Sequence, residues 1–168
     1  MSYDLWFHAS DGQTLTRAAW EAYAATMPLT RWADETRLLY ENVNTGVYCG
    51  FDWTAAAESD DEQVRSDAQA TPLAFNLNYV RPSFFGLETL PIVEKMCADL
   101  GLLVVDPQSQ ENGGPKLARA DELIASWNAG NATASQQAVG YSKQGALTGG
   151  VSRGSSNSCQ AAHSQRSF

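Results

Sequence analysis

Histidine and cysteine, the residues most used for metal binding and nucleophilic chemistry, are scarce here: two and three, respectively, in 168 residues. The cysteines, Cys49, Cys97 and Cys159, are odd in number and form no C-x-x-C spacing. That excludes a paired disulfide framework and a zinc-ribbon site. Cys49 falls in a strand-like pattern and Cys97 in a helical one, so both are expected to be buried small hydrophobes in a reducing compartment. The sequence contains no Walker loop, G-x-G-x-x-G, H-E-x-x-H or G-x-S-x-G. The residues therefore point to no cofactor and no metal.

Long apolar runs are missing too. None approaches the roughly 20 residues needed to span a bilayer. The opening MSYDLWFHASDG has no basic stretch before an apolar one and carries Asp4 early. It reads as a strand and not as a leader, which makes a cytoplasmic location and no membrane partner the expectation.

What the chain has in excess is negative charge. The net charge is −8, and all 19 acidic residues lie at or before Glu122. Up to Asn131 there are eight Lys and Arg against those 19 acids, a net −11. A body of that charge repels phosphate backbones and argues against nucleic acid. It suits a basic protein partner, although solubility alone is the commoner reason for such a charge.

Apolar periodicity outlines one domain over residues 1–131. Tyr3, Leu5 and Phe7 alternate with Asp4, Trp6 and His8, the period of a strand. Asp11-Gly12 marks a turn, and Thr14 is the expected N-cap of a helix over Leu15–Met27, stopped by Pro28. Its Trp20, Tyr23 and Met27 form a core stripe. RLLYENVNTGVYCGFDW is the clearest hairpin, with Asn44-Thr45-Gly46 at the turn and Val47, Cys49, Phe51 and Trp53 on one face. The acid-rich run from Glu58 to Asp67 reads as a solvated loop or short exposed helix. Leu73, Phe75, Leu77 and Tyr79 mark another strand, ended by Arg81-Pro82. A helix is expected over Leu90–Leu100, with Pro91 in its first turn and Gly101 as its stop. Leu102–Val105 reads as a strand covered on both faces. Leu117, Ala120, Leu123, Ile124 and Trp127 describe a last helix ending near Gly130.

The order β-α-β-β-β-α-β-α predicts an α+β fold: a ferredoxin-like two-layer sandwich with a mainly antiparallel sheet and an extra C-terminal helix. From Ala132 the composition changes abruptly, to eight serines, five glycines and no acid. Residues 132–168 are expected to be a disordered or non-native tail, either a linker or sequence read from a shifted frame or vector.

Strand parity picks out the candidate site. If Leu5, Phe7, Phe51, Trp53, Phe75 and Leu77 face the helices, the opposite sheet face carries Asp4, Trp6, His8, Tyr48, Asp52, Asn76 and Asn78. Aromatics ringed by amides and carboxylates suit a protein or small-ligand surface. The competing arrangement has the last helix, with Trp127, or the acidic loop covering that face. Asp106, directly after a strand, more simply opens a turn at Pro107. His163 lies in the tail.

MSYDLWF, FNLNYVRPSFFGLE (Phe75–Glu88) and WNAGN (Trp127–Asn131) resemble a loose group of uncharacterised bacterial proteins with the same opening. The resemblance ends where the tail begins. It implies a bacterial origin and an altered C-terminus, and it transfers no activity. The expectation is a non-catalytic acidic interaction module, an immunity or adaptor protein for a basic partner. The alternative is a small hydrolase or transferase using His8 as general base with Asp4, Asp11 or Asp52.

Overall fold

Residues 1–10, 14–54, 70–109 and 114–148 are described by the computed structural model, with side chains of the last helix through Val139. The acidic run from Glu58 to Asp67, Asp11-Gly12 and positions 149–168 lie outside the described residues.

Strand β1 (Ser2–Ala9) shows the alternation its sequence implies: Tyr3, Leu5 and Phe7 have no exposed surface, while Ser2, Asp4 and Trp6 are half-buried. It lies inside a six-stranded sheet of order β2-β3-β4-β5-β1-β6, every neighbouring pair antiparallel. The other strands are β2 (Thr30–Trp32), β3 (Arg37–Asn42), β4 (Val47–Trp53), β5 (Ala70–Asn78) and β6 (Leu102–Val105). With helices α1 (Arg17–Ala24), α2 (Phe84–Leu100) and α3 (Ala120–Thr148), the chain has an α+β fold with a C-terminal helix. Strand β2 had no counterpart in the sequence reading, because three residues are too few to show a period.

The inner sheet face forms the core. Leu38 stands opposite Phe51, Phe51 opposite Phe75, Phe75 opposite Leu5, and Phe7 opposite Val104, and all are buried. Trp20 of α1 meets Phe51 with ring centroids 5.6 Å apart. Leu90, Val93 and Met96 of α2, and Leu123 and Trp127 of α3, complete the cluster. Each such side chain contributes about 1.5–3 kcal/mol on full burial. The Asn44-Thr45-Gly46 turn forms as expected, with Gly46 at φ 72° and its N–H donating to Asn42 O.

Several boundaries move, each for a local reason. Helix α1 is capped by Thr16, whose Oγ1 accepts the Ala19 N–H, and not by Thr14. Helix α2 begins at Phe84, six residues early, so Pro91 sits inside it. Phe85 and Gly86, which lie ahead of the helix expected from the sequence, are buried first-turn residues. Gly101 ends α2 in the left-handed conformation, φ 64°. Strand β6 is an edge strand with only alternate residues buried, not one covered on both faces. Its outer side is met by one bridge, Val104 to Lys116. Leu117 lies before α3 and is 73% exposed. Helix α3 does not stop near Gly130: it continues to Thr148, and Ala134 is buried.

Strand β5 contains Pro72, which has no N–H for the ladder. The β1–β5 register breaks opposite it, with Trp6 pairing Ala74 but His8 pairing Ala70. A bulge is how a strand accommodates a missing donor.

Candidate functional site

Asp4, Asp52, Asn76 and Asn78 emerge from strands β1, β4 and β5 on the face turned away from the core. The register sets them in rows across the sheet. Gly50, Asn76 and Asp4 make one row, and Arg37, Asp52, Ala74 and Trp6 make the next. Residues paired across adjacent strands share a face, so this is the surface that parity predicted. Trp20 and Ala24 of α1, Leu90, Val93 and Met96 of α2, and Leu123 and Trp127 of α3 all join the inner-face cluster.

Hydrogen bonds fix its polar groups. Asn76 Nδ2 donates to Asp4 Oδ1 at 2.5 Å, and Ser2 Oγ donates to Asp4 Oδ2 at 2.8 Å. Arg37 Nε lies 3.5 Å from Asp52 Oδ1. Its guanidinium lies over Gly50, where an added Cβ would stand 3.0 Å from Nη2. Burial pushes the Asp52 carboxyl above the usual carboxylate range; Arg37 opposes the shift, and the nearby charges of Asp34 and Asp4 add to it.

Two of the seven residues do not join this group. His8 is 7% exposed, paired beyond the bulge with Ala70 and Leu103. Asp4 is four residues from it along the strand, roughly 13 Å at the usual rise. Asp11 falls outside the described residues. Tyr48 is held at the end of the sheet: Phe85 meets its ring edge-on at 5.8 Å, and the Arg81 guanidinium lies 5.4 Å from its centroid and donates to its hydroxyl.

Asp106 opens the turn after β6, as expected, and is also a joint. It is 3% exposed, and Oδ2 accepts from the Tyr3 hydroxyl and from Ser126 Oγ, each at 2.6 Å. Oδ1 accepts the Gln108 N–H at 3.0 Å. One carboxylate thus ties β1, the turn after β6 and α3 together. Burial, and then the bond to Asp106, push the Tyr3 phenol far above its ordinary value.

A concavity that the sequence reading missed lies at the β2–β3–β4 end of the sheet. Trp32 pairs with Leu38, and Trp53 donates its N–H to Thr36 O, so the two indoles stand on strands either side of β3. Together with Arg17, Glu21, Asp34 and Glu35 they line a cavity of about 590 Å³. The only sequence signal was the isolated Trp32 outside every recognised element. Among the described residues, no group of His, Cys, Asp and Glu is placed to hold a metal ion, and no helix is long and apolar enough to cross a membrane.

Comparison with protein-family models, curated proteins and solved structures finds no match. The three stretches behind the bacterial resemblance meet one another in space. Tyr3 and Tyr79 have ring centroids 6.2 Å apart, Trp127 packs on Gly86, and Asn131 Oδ1 accepts from the Val80 and Arg81 N–H groups.

Proposed function

We infer that the chain is a non-catalytic, acidic protein-interaction module that engages a basic partner through the outer sheet face. The observation that carries this reading is the placement of Asp4 and Asp52 in adjacent rows of one sheet face. Burial and two neighbouring carboxylates, Asp4 and Asp34, raise the pKa of Asp52 although Arg37 stands beside it. A cation docking from outside would meet these carboxylates together. Trp6 and Ala74 in the same row supply an apolar floor next to the acids, the mix common at protein interfaces. The body's net −11 gives the long-range attraction, and it disfavours nucleic acid. An immunity or adaptor role toward a basic protein is the biological form this module takes in our reading, in a bacterial cytoplasm.

The general-base reading of His8 draws no support from the geometry. Its ring is buried, and Asp4 is too far along the strand to orient it. The test is titration of the protein with a ten-residue lysine peptide at low and at high salt, with a DNA duplex as counter-probe. Binding of the peptide that fades with salt, and none of the duplex, is expected. Duplex binding, or peptide binding indifferent to salt, would count against the reading.

A further inference from the structure

Arg17, the first residue of α1, points its guanidinium between two tryptophans. Its Cζ lies 4.9 Å from the Trp32 ring centroid and 5.6 Å from that of Trp53. Both distances fall inside the roughly 6 Å over which a cation is attracted to an aromatic face. The spacing follows from the sheet. Strands two apart are separated by roughly 9.5 Å, twice the usual 4.7–4.9 Å, which admits one planar group between rings rising from β2 and β4. Glu21 Oε1 accepts from Arg17 Nε at 2.7 Å, and the Glu35 carbonyl accepts from Nη2. A guanidinium is therefore already accommodated here in full: two ring faces, a carboxylate and a carbonyl.

The cavity of about 590 Å³ is the space that remains with Arg17 in place. Trp32 is 39% exposed at its mouth. Its carboxylates outnumber its cation three to one, and Arg17 is paired with Glu21, leaving Asp34 and Glu35 on the rim. Asp34 is rigidly placed: its Oδ1 accepts the Thr36 and Arg37 N–H groups and the Thr36 hydroxyl, which hold its carboxyl below the usual range. The same charge is felt at Asp52. Asp34 thus adds to the negative potential at both the cavity and the outer face.

We propose that this cavity reads an arginine side chain of the basic partner, with Arg17 as the resident guanidinium that the incoming one displaces from the Trp32 face. This rests on the basic-partner reading and names the side chain that it recognises. Arginine is favoured over lysine because a planar cation stacks on an indole while its N–H groups, in plane, reach carboxylates.

The experiment uses the full chain and an acetylated, amidated peptide with three arginines spaced by glycines. A second peptide replaces arginine by citrulline, which keeps the shape and removes the charge. Affinities are measured by titration calorimetry, and the Trp indole N–H signals are followed by NMR. The arginine peptide should bind and the citrulline peptide should not. Trp32→Ala should weaken binding roughly five- to tenfold, and Glu35→Gln, an exposed change that leaves the fold alone, about two- to threefold. Arg17→Ala should tighten it, because the competing cation is gone. Unchanged affinity in Trp32→Ala, with loss in the Asp4→Asn/Asp52→Asn double variant, would overturn the cavity while leaving the basic-partner reading intact. So would loss of binding in Arg17→Ala. Equal binding of both peptides, or of neither, would overturn both.

Discussion

Asn131 closes its side-chain amide on the backbone at Val80: Oδ1 accepts the Val80 N–H at 2.6 Å and the Arg81 N–H at 3.2 Å, and Nδ2 donates to Arg81 O at 2.7 Å. Val80 needs the clamp. Its φ is 61°, a left-handed conformation that costs a β-branched residue about 1–2 kcal/mol. Asn131→Ala should therefore lower stability by about 1–3 kcal/mol, since it orphans backbone groups at a strained turn. Val80 is 47% exposed and packs little, so Val80→Gly should raise stability by up to about 1 kcal/mol. Urea midpoints of the two variants check both signs; a destabilised Val80→Gly protein would contradict the strain.

Helix α3 depends on two absent side chains. A Cβ on Gly86 would stand 2.7 Å from the Trp127 ring, and one on Gly130 would stand 2.3 Å from the Tyr79 hydroxyl. Trp127 is fully buried and cannot yield cheaply. Gly86→Ala is expected to cost about 1–3 kcal/mol by overpacking, against the small gain an alanine normally brings to a helix. Gly130→Ala should cost less, because the half-buried Tyr79 can swing away. Thermal unfolding of both proteins would show whether the order holds.

Glu88 joins α2 to the β3–β4 hairpin and sets a pH window. Its Oε1 accepts from the Tyr40 hydroxyl at 2.8 Å, Asn42 Nδ2 at 2.7 Å and Thr45 Oγ1 at 3.1 Å. Burial would raise its carboxyl, but these three bonds outweigh burial and hold it below the usual range. Its contribution is thus present above the unfolded value, near 4.3, and is lost as pH falls through the lower folded value. Burial and then the bond to Glu88 push the Tyr40 phenol up to about 12. That contribution is complete below about pH 10 and disappears as pH rises through about 12. Tyr40→Phe should therefore flatten the alkaline fall in stability, and Glu88→Gln the acid one. Chemical denaturation at a series of pH values measures both; unchanged slopes would contradict the assignment.

The inner core was legible in the sequence because period two and burial coincide there: Tyr3, Leu5, Phe7, Leu73, Phe75 and Leu77 declared both their strands and their face. The same parity placed Asp4, Asp52, Asn76 and Asn78. Parity speaks of face and not of depth: His8, beside the bulge opposite Pro72, is buried where Asp4 and Trp6 are half-buried. The start of α2 was hidden by Pro91, which reads as a first-turn residue and here sits deep in the helix. The length of α3 was hidden by composition. Small residues such as Ala134 bury little and leave no stripe, yet the helix runs through them. The Trp32–Trp53 cavity was invisible since its two walls are brought together only by the sheet, and one stands on a three-residue strand.

Asp52 should show opposite effects on stability and on binding. Its raised carboxyl means that folding is favoured by its protonated form, most fully below the unfolded value and decreasingly as pH rises through the folded one. At neutral pH, Asp52→Asn should therefore not lower the thermal midpoint and should raise it slightly; the partly exposed ion pair to Arg37 that it gives up is worth little. A clear fall in midpoint would show that the Asp52 charge supports the fold.

The use of the outer face as a docking surface for a basic partner is tested most directly by calorimetric titration of a ten-residue lysine peptide into the wild-type protein and the Asp4→Asn/Asp52→Asn double variant at low salt. The expected result is binding to the wild type that weakens about tenfold or more in the variant, with the thermal midpoint maintained. Equal affinity in the two proteins would contradict it.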